Sequence, residues 1–334
     1  MKASIKIALC CLVCLICLAL AAGLGSVRIS PGEIVEILAG RLEGVKASIF
    51  LSIRMPRLIM AFLTGAALAA SGTVMQSVLR NPLASSYTLG VSSGASLMAA
   101  IVMLTGFTIP LIGGYTLPLL GFAGGLGTVL LAMAITRRLD GSMENHTIIL
   151  TGMVISLFVN AVLTLVTALS DEHLKQLVFW QMGSFSAQRY ENAALLAPVV
   201  LVGLLLLMRR AREMDLMTFG EEQALSAGVD MKREKLVLIS IATLLTSTAV
   251  PFVGVIGFID LIAPHVVRKL FGSRHILVLP MSALFGGSFM VIADLISRTI
   301  LAPRELPVGA VTALIGAPFF TYVYFHRRKE GTKC

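Results

Sequence analysis

The sequence predicts an all-α integral membrane protein with about ten transmembrane helices. Of its 334 residues, 57% are hydrophobic and only 13% are charged, whereas soluble domains carry roughly 25% charged residues. Several uncharged runs reach the roughly 20 residues that a helix needs to cross a bilayer. Residues 209–235 instead hold twelve of the 45 charged residues. A water-soluble domain is therefore excluded, and basic helix ends explain the formal charge of +9 without a nucleic-acid partner.

The N-terminal run is the first predicted span. Lys2 and Lys6 precede an uncharged run over residues 7–27, whose 21 residues exceed the roughly 7–15 of a secretory signal core. We therefore expect a retained helix that starts on the cytoplasmic side. Four of the five cysteines lie in this run, and we expect them to be apolar filler rather than metal ligands. Residues 30–33, Ser-Pro-Gly-Glu, then predict the start of a short interfacial helix.

Prolines, glycines and basic residues separate the later uncharged runs and so define the remaining spans. The second span is rich in Gly, Ala and Ser, which predicts a position inside a helix bundle. Residues 236–272 are too long for one straight span and short for two, so they predict a hairpin, spans seven and eight, with a short second arm. The other predicted spans cover residues 58–79, 94–111, 117–136, 147–170, 192–208, 276–297 and 308–325.

The basic residues also predict the orientation of the chain. The polar stretch 209–235 and the basic residues 326–329 are both expected on the cytoplasmic side. An even number of spans must then separate them, which is why the hairpin is needed. The chain is predicted to be one domain, residues 1–334, in the cell membrane with both termini cytoplasmic. The polar stretch is the predicted contact with a separate motor protein.

One uncharged segment is predicted to be irregular rather than helical. Residues 81–93, NPLASSYTLGVSS, follow the second span. Non-helical backbone at membrane depth is tolerated only where it is packed in protein or lines an aqueous cavity. The segment therefore predicts a substrate pathway, together with Gln76 near the end of the second span, and the candidate residues are Gln76, Asn81, Pro82, Ser85 and Ser86.

Three arginines are predicted at the outer surface, where basic residues are usually depleted. Arg54 and Arg57 precede the second span, and Arg298 ends the ninth. Two interpretations stay open from the residues alone: the guanidinium groups dock carboxylates of a partner protein, or they reach lipid phosphates. Asp294 lies four residues before Arg298, which predicts a local ion pair.

The sequence contains no motif for catalysis. It lacks a phosphate-binding loop, a metal-spaced His/Cys set and a nucleophile elbow. We therefore expect no enzyme activity, no cofactor and no metal, and if ATP drives transport the ATPase must be another chain. The rival functions are an ion- or proton-coupled secondary transporter, which would use Asp260 and Asp294, and a non-transporting membrane scaffold.

Several short motifs resemble the FecCD permease family, the membrane subunits of importers for iron–siderophores, haem and cobalamin. They include RMPR at residues 54–57, RNPLA at 80–84, Pro264-His265 and ELPVG at 305–309. The resemblance implies a cobalamin-importer-like permease fold of ten helices. It also implies a dimer with a second permease subunit (identical or a close paralogue), two ATPase subunits, a substrate-binding protein and, most commonly, an iron–siderophore as substrate.

The resemblance also implies roles for individual residues. It favours binding-protein docking by Arg54, Arg57 and Arg298, and it places a cytoplasmic gate at Asn145, His146 and Thr147. Asp260 departs from the family pattern, where glycine is frequent. The implied ATPase-coupling residues are Phe219, Gly220, Glu221, Glu222, Ala224, Leu225, Ser226 and Gly228.

Overall fold

The computed structural model describes residues 3–169 and 174–331, with side chains up to residue 322. Across these residues the chain folds into α-helices, one π-helical turn (Ile49–Arg54) and one short 3₁₀ turn (Gly113–Tyr115), without a strand. The helices are α1 Ala3–Gly23, α2 Pro31–Leu38, α3 Val45–Ser48, α4 Met55–Val78, α5 Val91–Thr105, α6 Thr116–Leu139, α7 Asn145–Ala168, α8 Leu174–Gln181, α9 Tyr190–Arg209, α10 Ala211–Phe219, α11 Glu221–Ser226, α12 Met231–Val253, α13 Ile259–Phe271, α14 His275–Thr299 and α15 Val308–Gly331.

Seven of the described helical segments are long and apolar enough to cross a membrane. They contain α1, α4, α6, α7, α9, α12 and α14, and two shorter apolar helices, Val91–Thr105 and Val308–Tyr322, accompany them. α12 and the 13-residue α13 form the two arms of the predicted hairpin. The predicted end of span five, residue 170, lies outside the described residues.

Most predicted spans differ from the structure by a few residues at their ends, and two of them differ most. The third, expected at residues 94–111, is α5 and ends at Thr105 because Gly106 adopts a left-handed backbone (φ 63°) that terminates the helix. The second, expected from residue 58, belongs to one helical segment over Val45–Val78. A π-helical turn precedes Pro56 within it. Proline lacks an N–H and its ring collides with the carbonyl four residues earlier, and the wider turn accommodates both.

Helix α4 lies at the centre of the fold and packs against α14, α12, α13 and α9. Almost all of its residues from Pro56 to Val78 are buried, as its small side chains predict. Two glycines allow the closest approaches. A Cβ on Gly65 would lie 2.2 Å from the Gly286 carbonyl oxygen, and a Cβ on Gly72 would lie 1.9 Å from the Asp260 carbonyl oxygen. α4 therefore contacts α14 and α13 backbone to backbone.

We expect Gly72→Ala to lower the free energy of unfolding by about 1–3 kcal/mol. The new methyl group meets Asp260 backbone atoms at 1.9, 2.6 and 2.7 Å, so α4 and α13 must separate. Gly127→Ala in α6 is the matched control, since a Cβ there meets no atom within 4 Å and alanine favours a helix. Thermal unfolding of the purified protein in detergent measures both, and equal melting temperatures would contradict the close packing.

The interfacial helix predicted at residues 30–33 is confirmed as α2. Ser30 accepts a hydrogen bond from the Glu33 N–H while the Glu33 carboxylate accepts one from the Ser30 N–H, which is a capping box. Lys46 donates to the same carboxylate and, together with the Ser30 cap, lowers the pKa of Glu33 to about 2. Ile37 of this helix and Phe50 belong to one small buried hydrophobic cluster.

Candidate functional site

A buried ion-pair network joins the start of α4 to the end of α14. The Arg57 Nε donates to both carboxylate oxygens of Asp294 (2.9 and 3.0 Å), and the Arg57 Nη2 donates to one of them (2.8 Å). The Arg57 Nη1 donates to Glu305 at 2.8 Å. The Arg57 and Asp294 side chains are 6% and 4% exposed, whereas that of Glu305 is 40% exposed. Asp294 and Arg57 therefore form a buried ion pair, in which the guanidinium balances the charge of the carboxylate.

The other two arginines that were predicted at the outer surface bind the end of α1. Arg54 donates to the carbonyl oxygens of Ala22 (2.7 Å) and Gly23 (3.2 Å), and Arg298 donates to that of Ala21 (2.5 Å). The last four carbonyls of a helix have no partner within it, and the helix dipole makes that end negative. Arg298 in the last turn of α14 and Arg54 just before α4 therefore both cap the C-terminal end of α1.

The structure changes how these arginines are interpreted. The predicted Asp294–Arg298 ion pair is present at 3.7 Å, but Arg57 makes the closer contacts with Asp294. The guanidinium groups of Arg54, Arg57 and Arg298 point into the protein, and their acceptors lie within this chain. Docking by these three residues stays a prediction, and a structural role for each is observed.

The polar stretch 209–235 contains the short helices α10 and α11. Gly220 separates them with a left-handed backbone (φ 140°) that suits glycine. Ala224 is buried, while Phe219 and Leu225 are 74% and 59% exposed. Glu222 and Ser226 are exposed on α11, and Gly228 is exposed in the turn that follows it. The two helices therefore present large apolar side chains outside the membrane-spanning helices.

One buried lysine connects α11 to the loop before α7. Lys235, at the start of α12, has no exposed surface and donates to Glu221 (2.6 Å) and to the Met143 carbonyl oxygen (2.8 Å). Met143 lies two residues before Asn145, the first of the predicted gate residues. Lys235 thus ties α11 to the loop that leads into α7.

A second connection runs from α10 into the helix bundle. The Asp215 carboxylate accepts from the His275 backbone N–H (2.9 Å) and lies 2.6 Å from its Nδ1. The His275 Nε2 lies 2.6 Å from the Ser77 hydroxyl, which also accepts from Arg268 at 2.9 Å. Arg268 donates to Gln76 at 2.6 Å. Four elements, α10, α14, α4 and α13, therefore share one hydrogen-bonded chain.

Three predicted pathway residues lie in a buried polar cluster at the end of that chain. The Gln76 amide donates to the Asp260 carbonyl oxygen at 3.3 Å, and the Ser86 hydroxyl lies 2.5 Å from that of Ser71. Ser85 hydrogen-bonds the Asp260 carboxylate. Asn81 is half-buried and Pro82 exposed in the following turn. Gln76, Ser85 and Ser86 are thus occupied by partners within the subunit.

The acid at residue 260, unexplained by the sequence, begins a half-length helix. Asp260 is 3% exposed. Its carboxylate accepts hydrogen bonds from its own N–H and that of Leu261, in addition to Ser85. These are the free amides at the positive end of α13, where a carboxylate is favoured.

A polar cavity lies between α5 and α7. It has a volume of 260 Å³. Asn160 is exposed midway along α7, where an unsatisfied amide in contact with lipid is unfavourable. These residues were not predicted as a site from the sequence, although Asn160 is the only Asn, Asp or Glu inside the predicted span 147–170. The side chains that line the cavity include Ser92, Ser93, Ser96, Asn160 and Gln181.

The predicted gate residues occupy the first turn of α7. Asn145 and Thr147 are half-buried and His146 is exposed. Asp140 fixes the preceding turn by accepting from the Ser142 hydroxyl and from the backbone N–H of Glu144. These bonds, the Ser142 hydroxyl first, lower the pKa of Asp140 to about 2.

Comparisons with known proteins agree with this architecture. The profile of the FecCD transport family matches residues 11–326. The ABC transporter permease protein YvrB of Bacillus subtilis (strain 168) is 42% identical over 292 residues, 87% of this chain and 83% of YvrB. The cobalamin import system permease protein BtuC of Halobacterium salinarum is 39% identical over 272 residues, 81% of this chain and 72% of BtuC.

A solved structure extends the similarity to the fold. An inward-facing structure of a metal-chelate type ABC transporter superposes with a TM-score of 0.87 at 29% identity and covers 97% of this chain and 100% of its own. The match of the family profile to nearly the whole sequence, together with this fold, identifies the chain as a multi-pass membrane protein that belongs to the FecCD transport family.

Proposed function

We propose that this chain is the permease subunit of an ATP-driven importer for a metal chelate. Its relatives are permeases of such systems, including one for cobalamin. The observation that carries the proposal is the surface of α10 and α11, because exposed Phe219 and Leu225 lie on helices that are hydrogen-bonded into the bundle. A separate ATPase subunit would bind there.

The proposed mechanism is alternating access. ATP-driven closure of two ATPase subunits pushes on α10 and α11, Lys235 transmits the movement to Met143, and the gate at Asn145–Thr147 opens or closes. The chain crosses the membrane ten times in this proposal, with α5, α13 and α15 added to the seven long spans and both termini in the cytoplasm. Catalysis resides in the ATPase.

The proposed pathway lies on the face of α7 that carries Asn160, at an interface with a second, identical or paralogous permease. Only 28% of the α7 span is buried, and its exposed side chains include Leu157 and Phe158. A partner subunit would cover these and place the polar cavity beside the two-fold axis. A binding protein would deliver the substrate at the opposite membrane surface, near Glu305.

The secondary-transporter alternative receives no support from the two acids it requires. Asp294 is paired with Arg57, and the Asp260 carboxylate is bound by Ser85 and helix amides. Neither acid faces the cavity between α5 and α7. An iron–siderophore is the proposed substrate, and uptake of ferric siderophore, haem and cobalamin by vesicles containing the complete importer compares the three directly.

We expect Phe219→Asp/Leu225→Asp to weaken ATPase binding at least tenfold, because buried apolar anchors at an interface contribute about 2 kcal/mol or more. Co-purification of the ATPase with the permease measures this. Leu111→Asp is the matched control, since Leu111 is 94% exposed before α6, at the other membrane surface. Undiminished co-purification of the double variant would contradict the proposed ATPase contact.

A further inference from the structure

Two adjoining cavities form a groove where the end of α6 meets the start of α12. The first has a volume of 490 Å³ and the second 460 Å³. Arg137 and Leu236 line both, so the two cavities lie side by side. The groove runs from the membrane-spanning part of α6 to the loop that leads into α7.

The two halves of this groove differ in chemistry. Leu130, Met133 and Ala134 line the first half, which lies within the membrane-spanning segment Gly113–Leu139. Arg137, Lys232 and Arg233 line the second half, and Arg138 lines the first half beside Arg137. Of the four cations at the two cavities, none has an ion pair among the described residues, and they are Arg137, Arg138, Lys232 and Arg233.

One carboxylate also lies at the groove. Asp230 lines the basic half, and one of its oxygens accepts the backbone N–H of Arg233 as the cap of α12. Four cations therefore lie at the groove with one carboxylate, and one oxygen of that carboxylate already accepts a hydrogen bond. The excess positive charge favours an anionic ligand.

We propose that this groove binds an anionic phospholipid, with its phosphate among the four basic side chains and an acyl chain along the apolar half. A soluble phosphate would satisfy only the basic half. A zwitterionic lipid would fill the apolar half but would not neutralise the excess charge. Phosphatidylglycerol and cardiolipin satisfy both halves, and basic pockets between membrane helices are suited to such head groups.

The position of the groove gives the lipid a role in coupling. Gly141 and Met143 line one side of the basic half, and Asp230 and Arg233 line the other. Lys235 joins Met143 to α11 in the same region. A bound phosphate braces the α6–α7 loop against the start of α12, so the anionic lipid stabilises the connection between the ATPase-binding surface and the gate.

The test is lipid binding by the purified full-length chain. Native mass spectrometry in nanodiscs of phosphatidylcholine with increasing phosphatidylglycerol measures retained lipid for the wild type and for Arg137→Gln/Arg233→Gln. The variant is expected to bind phosphatidylglycerol about tenfold more weakly or worse, from two lost cations. Lys269→Gln/Arg274→Gln is the matched control, because it removes two exposed cations at the ends of α13 and α14, and it should bind like the wild type.

Two further experiments distinguish a bound phospholipid from bound inorganic phosphate. Ala134→Trp fills the apolar half and leaves all four cations, and it should also reduce retained phosphatidylglycerol. Millimolar inorganic phosphate should not displace the lipid. Equal lipid retention by the site and control variants would overturn the proposal, and so would displacement by inorganic phosphate or equal retention of phosphatidylcholine. Matching melting temperatures of all variants confirm that the fold is kept.

Discussion

Replacing Arg57 with methionine is expected to lower the free energy of unfolding by about 3–5 kcal/mol. The substitution leaves the Asp294 carboxylate, whose side chain is 4% exposed, without its bidentate partner. The Arg298 Nε lies 3.7 Å from the same carboxylate and compensates only in part. A loss of several kcal/mol is a large share of the stability of most proteins, so purified yield and melting temperature should both fall.

Two companion variants isolate the cause. Arg57→Met/Asp294→Leu removes both charges and should recover most of the lost stability, because a buried pair can be replaced by apolar side chains at little cost. Glu305→Gln should change stability by less than about 1 kcal/mol, since its side chain is 40% exposed. If the double variant is no more stable than Arg57→Met, the unpaired carboxylate is not the cause.

The same double variant tests the docking prediction. A folded protein without Arg57 separates the structural role of this residue from any direct role in partner binding. Capture of the substrate-binding protein by the double variant at the wild-type level would remove Arg57 from the docking surface. Loss of capture by the stable double variant would support docking.

Replacing Lys235 with methionine is expected to reduce substrate uptake per ATP hydrolysed by about tenfold or more, in the range of typical coupling energies. Methionine keeps the length of the side chain but cannot donate to Glu221 or the Met143 carbonyl. The contact between α11 and the loop before α7 is then lost, while Phe219 and Leu225 remain available to the ATPase. Uptake and ATP hydrolysis measured together in reconstituted vesicles report the ratio.

The control for this experiment is Lys269→Met, which changes an exposed lysine at the end of α13. It should leave the ratio of uptake to hydrolysis unchanged. An unchanged ratio in Lys235→Met would show that motion of the ATPase reaches the gate by another route, such as the Asp215–His275 chain. ATPase co-purification should remain normal in both variants.

The positions of the membrane helices were largely predictable because they depend on local properties. A run of apolar residues long enough to cross a bilayer reports the solvent around a helix, and glycine, proline and basic residues report its ends. The small residues of α4 correctly indicated a central position. The break within residues 236–272 followed from their length, from their prolines and glycines and from the even number of spans required, and the structure has two helices there, α12 and α13.

Contacts between distant residues were not predictable in the same way. Arg57 and Asp294 are separated by 237 positions, and no local pattern indicates that they meet. The arginines therefore appeared to be free cations at an outer surface. Lys235 appeared to be one basic residue among six in the polar stretch, and only the fold shows that it is buried against the Met143 carbonyl.

The capping of α1 has a consequence for biosynthesis. Only 11% of the α1 span is buried, so this helix makes few contacts with the rest of the fold. Arg298, which caps it, follows Ala21 by 277 residues. At about 5–20 residues per second, roughly 15–55 seconds pass between synthesis of the two. During that interval Arg54 can cap α1 but Arg298 cannot. The helix can form all of its observed contacts only after α14 leaves the ribosome.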